Sequence, residues 1–202
     1  VYSVICMVGG GALRGQRMRL GISQARLAQV LGTQQPNVSA YEKHTLEPGR
    51  VVSDRITRFL ALERGSAYAD RDVSTFPAFA TEVKRALAVD PPQVGRDLIQ
   101  CADEFASLRH AADRAFFLTE PASTSDVRYD ALLAGLAVYL SRQADLSAAP
   151  EWTTQPQRYS PEMWFYGSPG EIPALRASAW RDAVPSMRAR GVVFSRRNLE
   201  SV

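Results

Sequence analysis

Two short helical patterns joined by a tight turn limit what this chain can fold into. Residues 23–42 read SQARLAQVLGTQQPNVSAYE. Ser23 is a favourable N-cap, and Ala25, Leu27, Ala28 and Leu31 fall on one stripe of a helix over 24–31. Gly32 supplies the turn. Thr33 is placed to cap a following helix in which Val38 and Tyr41, three apart, point inward. Pro36 falls in that helix's first turn, where its missing N–H costs little. The second helix is polar and nearly uncharged, and its tip carries glutamines where lysines would be the simpler choice for holding a polyanion. On either side, ALRGQRMRL (12–20) reads as a basic helix stopped by Gly21. RVVSDRITRFLALER (50–64) reads as an amphipathic helix with Val52, Ile56, Phe59 and Leu60 on its apolar side. Helices this short need each other for stability, so residues 12–64 are expected to form one compact domain of four or five helices.

Charge is divided unevenly along the 202 residues. The net charge is +3, but residues 1–64 hold nine Lys/Arg against four Asp/Glu (+5), 65–150 hold eight against twelve (−4), and 151–202 hold seven against five (+2). A basic head on an acidic middle suits a chain of which only part meets a polyanion. Apolar residues make up 46%, enough to bury a core. Cys6 and Cys101 are far apart and in no metal-like spacing, which favours free thiols in a reducing cytoplasm. No apolar run approaches the roughly 20 residues that span a bilayer. The opening VYSVICMVGG lacks the basic start of a secretory signal, so residues 1–11 are expected to be a flexible leader, with Met7 a candidate start.

Beyond the head, GSAYADRDVST (65–75) is small, polar and charged, and is expected to be a linker. Residues 76–202 are expected to form a helical C-terminal domain for dimerisation or partner binding. Helix-period apolar residues cover 76–89, 91–118 and 126–144, and the last two, from their apolar excess, are the candidate dimer surface. After Pro150 the chain becomes rich in Pro, Gly and aromatics, then RASAWRDAVPSMRARG reads as a helix broken at Pro185, and GVVFS (191–195) as a strand.

The segment RMRLGISQARLAQVLGTQQPNVSAYEKH resembles the Cro/repressor-type helix-turn-helix family, also called the XRE family. The shared features are a basic first helix, a glycine before Ser-Gln, "LA" in the second helix, the Leu-Gly-Thr turn, and a third helix ending in Glu. The resemblance covers roughly residues 12–64. It implies a mainly α fold with a five-helix lambda-repressor-like DNA-binding domain at the N-terminus and a C-terminal helical domain with a short β element. It also implies that the third helix lies in the major groove of double-stranded operator DNA, with its first residues against base edges. Glutamine and asparagine pair bidentately with adenine, so Gln34, Gln35 and Asn37 are the candidate base readers, with Ser39 and Lys43 further along. Gln24 matches the family's phosphate-binding position at the start of the second helix. Arg14, Arg17 and Thr33 are the other candidate phosphate contacts. Pro36 and Ala40 stand where relatives present reading side chains, a departure that bears on which bases are read and not on DNA contact. A homodimer reading a palindrome is expected.

Enzyme chemistry finds little support. A nucleophile needs a positioned base. The two histidines are His44, in the loop after the third helix, and His110, among alanines. VGGGALRG lacks the Gly-Lys-Ser ending of a phosphate-cradling loop. No catalytic residue, metal ligand or cofactor site is assigned.

Residues 152–180 carry all three tryptophans, with Tyr159, Trp164, Phe165 and Tyr166 among them. Two readings stand open: a satellite core, or a partner surface built on Trp164, Phe165, Arg188, Arg190, Arg196 and Arg197. PEMWF, LRASAW and VPSMRARGVVFSRRNL also resemble the C-terminal part of actinobacterial helix-turn-helix regulators thought to be antitoxins, encoded beside a nucleotidyltransferase-like toxin. That resemblance implies an autorepressing antitoxin of a type II pair with a cognate toxin as partner. The alternatives are a one-component repressor whose C-terminal domain senses a small molecule, and a protein-binding adaptor without DNA contact.

Overall fold

The computed structural model describes residues 10–167 and 172–199, and among these the chain is mainly helical. In chain order the helices are α1 (Gly10–Arg19), α2 (Gln24–Leu31), α3 (Gln35–Glu42), α4 (Arg50–Leu60), α5 (Ala67–Asp70), α6 (Phe76–Val89), α7 (Gln93–Ala106), α8 (Ala111–Phe117), α9 (Val127–Gln143), α10 (Pro173–Asp182) and α11 (Pro185–Arg188). Two strands, β1 (Trp164–Phe165) and β2 (Val192–Val193), pair in parallel. The chain divides into two compact units. The first takes the described residues up to Phe79 together with Ser107–Pro121; the second takes Ala80–Ala106 and the residues from Ala122 onward.

In the first unit, the Ser23 hydroxyl accepts from the Arg26 N–H at 3.0 Å and starts α2. The helix ends at Gly32, whose φ of 64° is left-handed, and the Thr33 N–H reaches back to the Ala28 carbonyl at 2.9 Å. A side chain at Gly32 would also meet the guanidinium of Arg55. That guanidinium is buried and donates to the Leu31 carbonyl at 2.6 Å and to the Glu120 carbonyl. Burial pushes its pKa down to about 10. Arg55 therefore stays charged at neutral pH, a cation at the negative end of α2. Val38 and Phe59 are fully buried, with Tyr41 and Ile56 close to it. Gln16 falls on the buried stripe of α1 and donates to the Leu62 carbonyl at 2.6 Å.

The structure departs from several of the sequence expectations. The supposed linker 65–75 is part of the first unit's core. Ser66, Tyr68, Val73 and Thr75 are buried, and buried Asp113 on α8 accepts from the Ser66 hydroxyl at 2.7 Å and the Ala67 N–H at 2.9 Å. Small polar residues look like linker because they are also what satisfies a buried carboxylate. The domain limit placed at residue 76 falls instead inside α6. The single helix expected over 91–118 breaks at 107–110, and His110 becomes the N-cap residue of α8. Gly10 and Gly11 belong to α1, not to a leader. Gly10 sits where a Cβ would collide with the Tyr41 and Glu42 carbonyls, and its N–H donates to His44 Nε2 at 2.7 Å. Residues 1–9, with Cys6 and Met7, lie outside the described residues.

The second unit is built on α9. Asp126 caps it by accepting from the Arg128 N–H at 2.9 Å. The run Ala131–Val138 is buried all round, which is what a core helix requires. At Gly135 the helix meets α11 so closely that a Cβ would lie 2.6 Å from Met187 Cγ, and the Ser186 hydroxyl donates to the Gly135 carbonyl at 2.8 Å. The apolar excess of 126–144, expected to form a dimer surface, is thus consumed inside the unit. The strand expected over 191–195 is limited to β2, with Trp164 opposite Val192 and Phe165 opposite Val193, while Ser195 bridges Ala183 antiparallel. Tyr129, Trp164, Tyr166 and Phe194 form a run of ring contacts with centroids 4.9, 5.6 and 4.8 Å apart.

Candidate nucleic-acid interface

The end of α2's turn leads straight into the start of α3. Gln34 is the N-cap of α3, in place of the expected Thr33, and its side chain makes no cap hydrogen bond. Pro36 at the second helical position has no N–H to be capped, so little is lost by leaving the Gln34 amide free to point outward. Thr33 serves the helix differently: its hydroxyl accepts from Asn37 Nδ2 at 3.1 Å. Gln34, Gln35 and Pro36 are exposed, Asn37 and Ser39 are half-buried, and Lys43 is exposed at the far end. Val38 and Tyr41 face the core. The helix therefore presents amide groups at its tip while its other face is anchored.

Beside this tip lies a cleft of about 300 Å³ lined by Arg14, Arg17, Gln24, Ser39, Glu42 and Lys43. A hydrogen-bond relay runs through it. Gln35 Nε2 donates to Gln24 Oε1 at 2.8 Å, and Gln24 Nε2 donates to Glu42 Oε2 at 2.9 Å. Arg17 Nε and Nη2 donate to the Glu42 carboxylate at 2.6 and 3.2 Å, and Arg17 Nη1 donates to the Ile22 carbonyl at 3.0 Å. Burial alone would raise the Glu42 pKa. Hydrogen bonds from Arg17 and Gln24, with the charges of Arg17 and Arg14, outweigh it and hold the carboxyl below its ordinary value. The carboxylate is therefore ionised at neutral pH, and it fixes Arg17 and Gln24 in place.

This network gives the candidate phosphate contacts different standings. Arg14 is exposed. Arg17, with its side chain 15% exposed, has its guanidinium committed to Glu42 and Ile22. Gln24 bridges Gln35 and Glu42, so its amide is oriented by the fold. Three cations against one carboxylate leave the cleft cationic, next to the tip that carries the exposed amides of Gln34 and Gln35, the latter tied to Gln24.

The candidate partner residues separate as well. Arg196 and Arg197 are exposed, and Trp164, Phe165 and Arg188 are half-buried. Arg190 is not a surface residue: it is 7% exposed and donates to the Ser186 and Thr153 carbonyls, both at 2.9 Å. Burial pushes its pKa down. Trp152 is buried, whereas Tyr159 and Trp180 are exposed, so the aromatic segment is partly core and partly surface.

Sequence reasoning missed Glu42, Arg55 and Asp113. Arg55 had a signal, since it stands on the same helical stripe as Val52, Ile56 and Phe59. Glu42 had one as well, as the Glu that ends the third helix in the resemblance, but its contact to Arg17, 25 positions away, had none, and neither had Asp113, whose partners lie 46 and 47 positions away. Among the described residues, no group of three or more His, Cys, Asp or Glu is placed to hold a metal ion, and no helix is long and apolar enough to cross a membrane. Cys101 is buried, and burial pushes its thiol pKa up. Comparison with protein-family models, curated proteins and solved structures finds no match to this chain.

Proposed function

We propose that this chain is a sequence-specific DNA-binding regulator of transcription, with α2 and α3 acting as a helix-turn-helix of the Cro/repressor type. The observation that carries the reading is the exposed amide pair Gln34 and Gln35 at the tip of an anchored helix, beside a cationic cleft. In this reading the start of α3 enters the major groove, where glutamine amides meet adenine N6 and N7. Arg14 and Lys43 hold flanking phosphates, which supply affinity without sequence information. The Arg17–Glu42–Gln24 relay sets the angle at which Gln35 meets the base edge. Selection of bound fragments from a random duplex pool tests it: a recovered consensus supports the reading, and recovery of unrelated sequences counts against it.

An autorepressing antitoxin is the form of this reading that the C-terminal unit favours. Met163, Ile172, Leu175 and Trp180 are large apolar side chains left exposed there, as a surface for a toxin would require. Co-purification with the product of a neighbouring gene would support that role.

A further inference from the structure

A second cationic cleft lies within the C-terminal unit, and nothing in the DNA-reading account uses it. Its shape follows from the backbone. Ala183 bridges Ser195 antiparallel, and the Val184 N–H donates to the Phe194 carbonyl at 2.9 Å. This pairing brings the end of α10 against residues 196–197, and Arg188 on α11 closes a third side. The result is a concavity of about 410 Å³ whose charged lining is Arg181, Asp182, Arg188, Arg196 and Arg197. Four guanidinium groups against one carboxylate leave a net charge of +3.

The arginines are not used up by the fold. Arg188 is set in place, donating to the Trp180 carbonyl at 3.1 Å with its guanidinium 5.0 Å from the Trp180 ring. Arg181, Arg196 and Arg197 are exposed, and among the described residues their guanidinium groups make no hydrogen bond or ion pair. Like charges gathered from separate parts of the chain repel one another unless an anion joins them.

We propose that this cleft binds the polyphosphate group of a small ligand carrying about three negative charges. Guanidinium forks match phosphate oxygens bidentately. The volume falls within the roughly 300–1,000 Å³ of small-ligand sites. An acidic peptide fits less well, since carboxylates on one face of an extended chain stand about 6.5 Å apart, too sparse for three in this space. A nucleic-acid backbone fits less well too, because the basic surface does not continue as a stripe along α10. Leu175 on that helix and Ile172 just before it are exposed, and Arg176 lies over the Phe165 ring at 5.5 Å.

Calorimetric titration of the full chain with inorganic triphosphate tests this. Saturable binding at one site is expected, about tenfold or more tighter than for monophosphate. Arg196→Ala/Arg197→Ala should lose about tenfold or more in affinity while keeping its circular dichroism and melting temperature, since neither side chain supports the fold. ATP binding as tightly as triphosphate would identify the free phosphate group as what is read, and tighter binding would identify a nucleotide; both uphold the site. Gln34→Ala/Gln35→Ala should leave triphosphate binding unchanged, so failure of the DNA-reading account and failure of this one are separable. Absence of saturation, an unaltered affinity in the double arginine variant, or displacement of triphosphate by a DNA duplex or a polyglutamate peptide at lower concentration would overturn the proposal.

Discussion

Removing the Glu42 carboxylate should loosen α1 and α3 without touching α9. The Glu42 side chain is 4% exposed and accepts three hydrogen bonds, two of them from Arg17. Breaking a buried ion pair by deleting one partner costs about 3–5 kcal/mol. Arg17 retains the Ile22 carbonyl and is partly reachable by water, which returns some of that. A cost of about 2–4 kcal/mol for Glu42→Ala follows. Because the chain has two compact units, a global melt would blend them, and native-state hydrogen exchange reads the effect locally. Amides of α1 and α3 should exchange about 30- to 900-fold faster, with α9 unchanged. Glu42→Gln, which keeps the shape and loses the charge, should fall between. Exchange in α1 and α3 within about threefold of wild type would show that the relay does not hold these helices.

The same carboxylate predicts acid sensitivity. Its folded pKa lies below the ordinary 4.5, so the stability it contributes is fully present above that value and is lost as pH falls through the folded pKa. Urea unfolding between about pH 7 and pH 3 should show a steeper loss for wild type than for Glu42→Gln. Arg14→Ala should flatten the salt dependence of DNA affinity by about 0.9 in log–log slope and leave exchange protection intact. Arg17→Ala should instead lose protection in α1 and α3. Gly135→Ala should destabilise the C-terminal unit by about 1–3 kcal/mol in urea unfolding. Met187→Ala in the same chain should recover only part, because Met187 Cα as well as its side chain stands in the way.

Local patterns were legible in the sequence wherever the partners were near neighbours. Ser23 as the cap of α2, Gly32 as its left-handed end, and Val38 and Tyr41 as inward residues all follow from spacing within a few positions. The division into units was not legible. It depends on α8 setting Asp113 against Ser66 and Ala67, 47 and 46 positions earlier in the chain, and no period along the sequence records that pairing. Arg17 illustrates the same limit within the candidate interface: basic and on an open-looking helix face, it reads as a phosphate contact, yet Glu42, 25 positions on, holds it. Gln34 and Gln35 required only that their helix be anchored by its other face, and that much the periodicity states. The buried run in α9 was legible as apolar, but whether such a helix faces its own unit or a second copy depends on α11, whose four residues carry no strong pattern.

In the proposed function, Gln34 and Gln35 read base edges. Fluorescence anisotropy with a selected duplex and a scrambled one, for wild type and for Gln34→Ala/Gln35→Ala, tests it most directly. Wild type should prefer the selected duplex, and the variant should lose about 1–3 kcal/mol on it while binding the scrambled duplex as before. Equal losses on both duplexes, or a wild type indifferent between them, would contradict the claim.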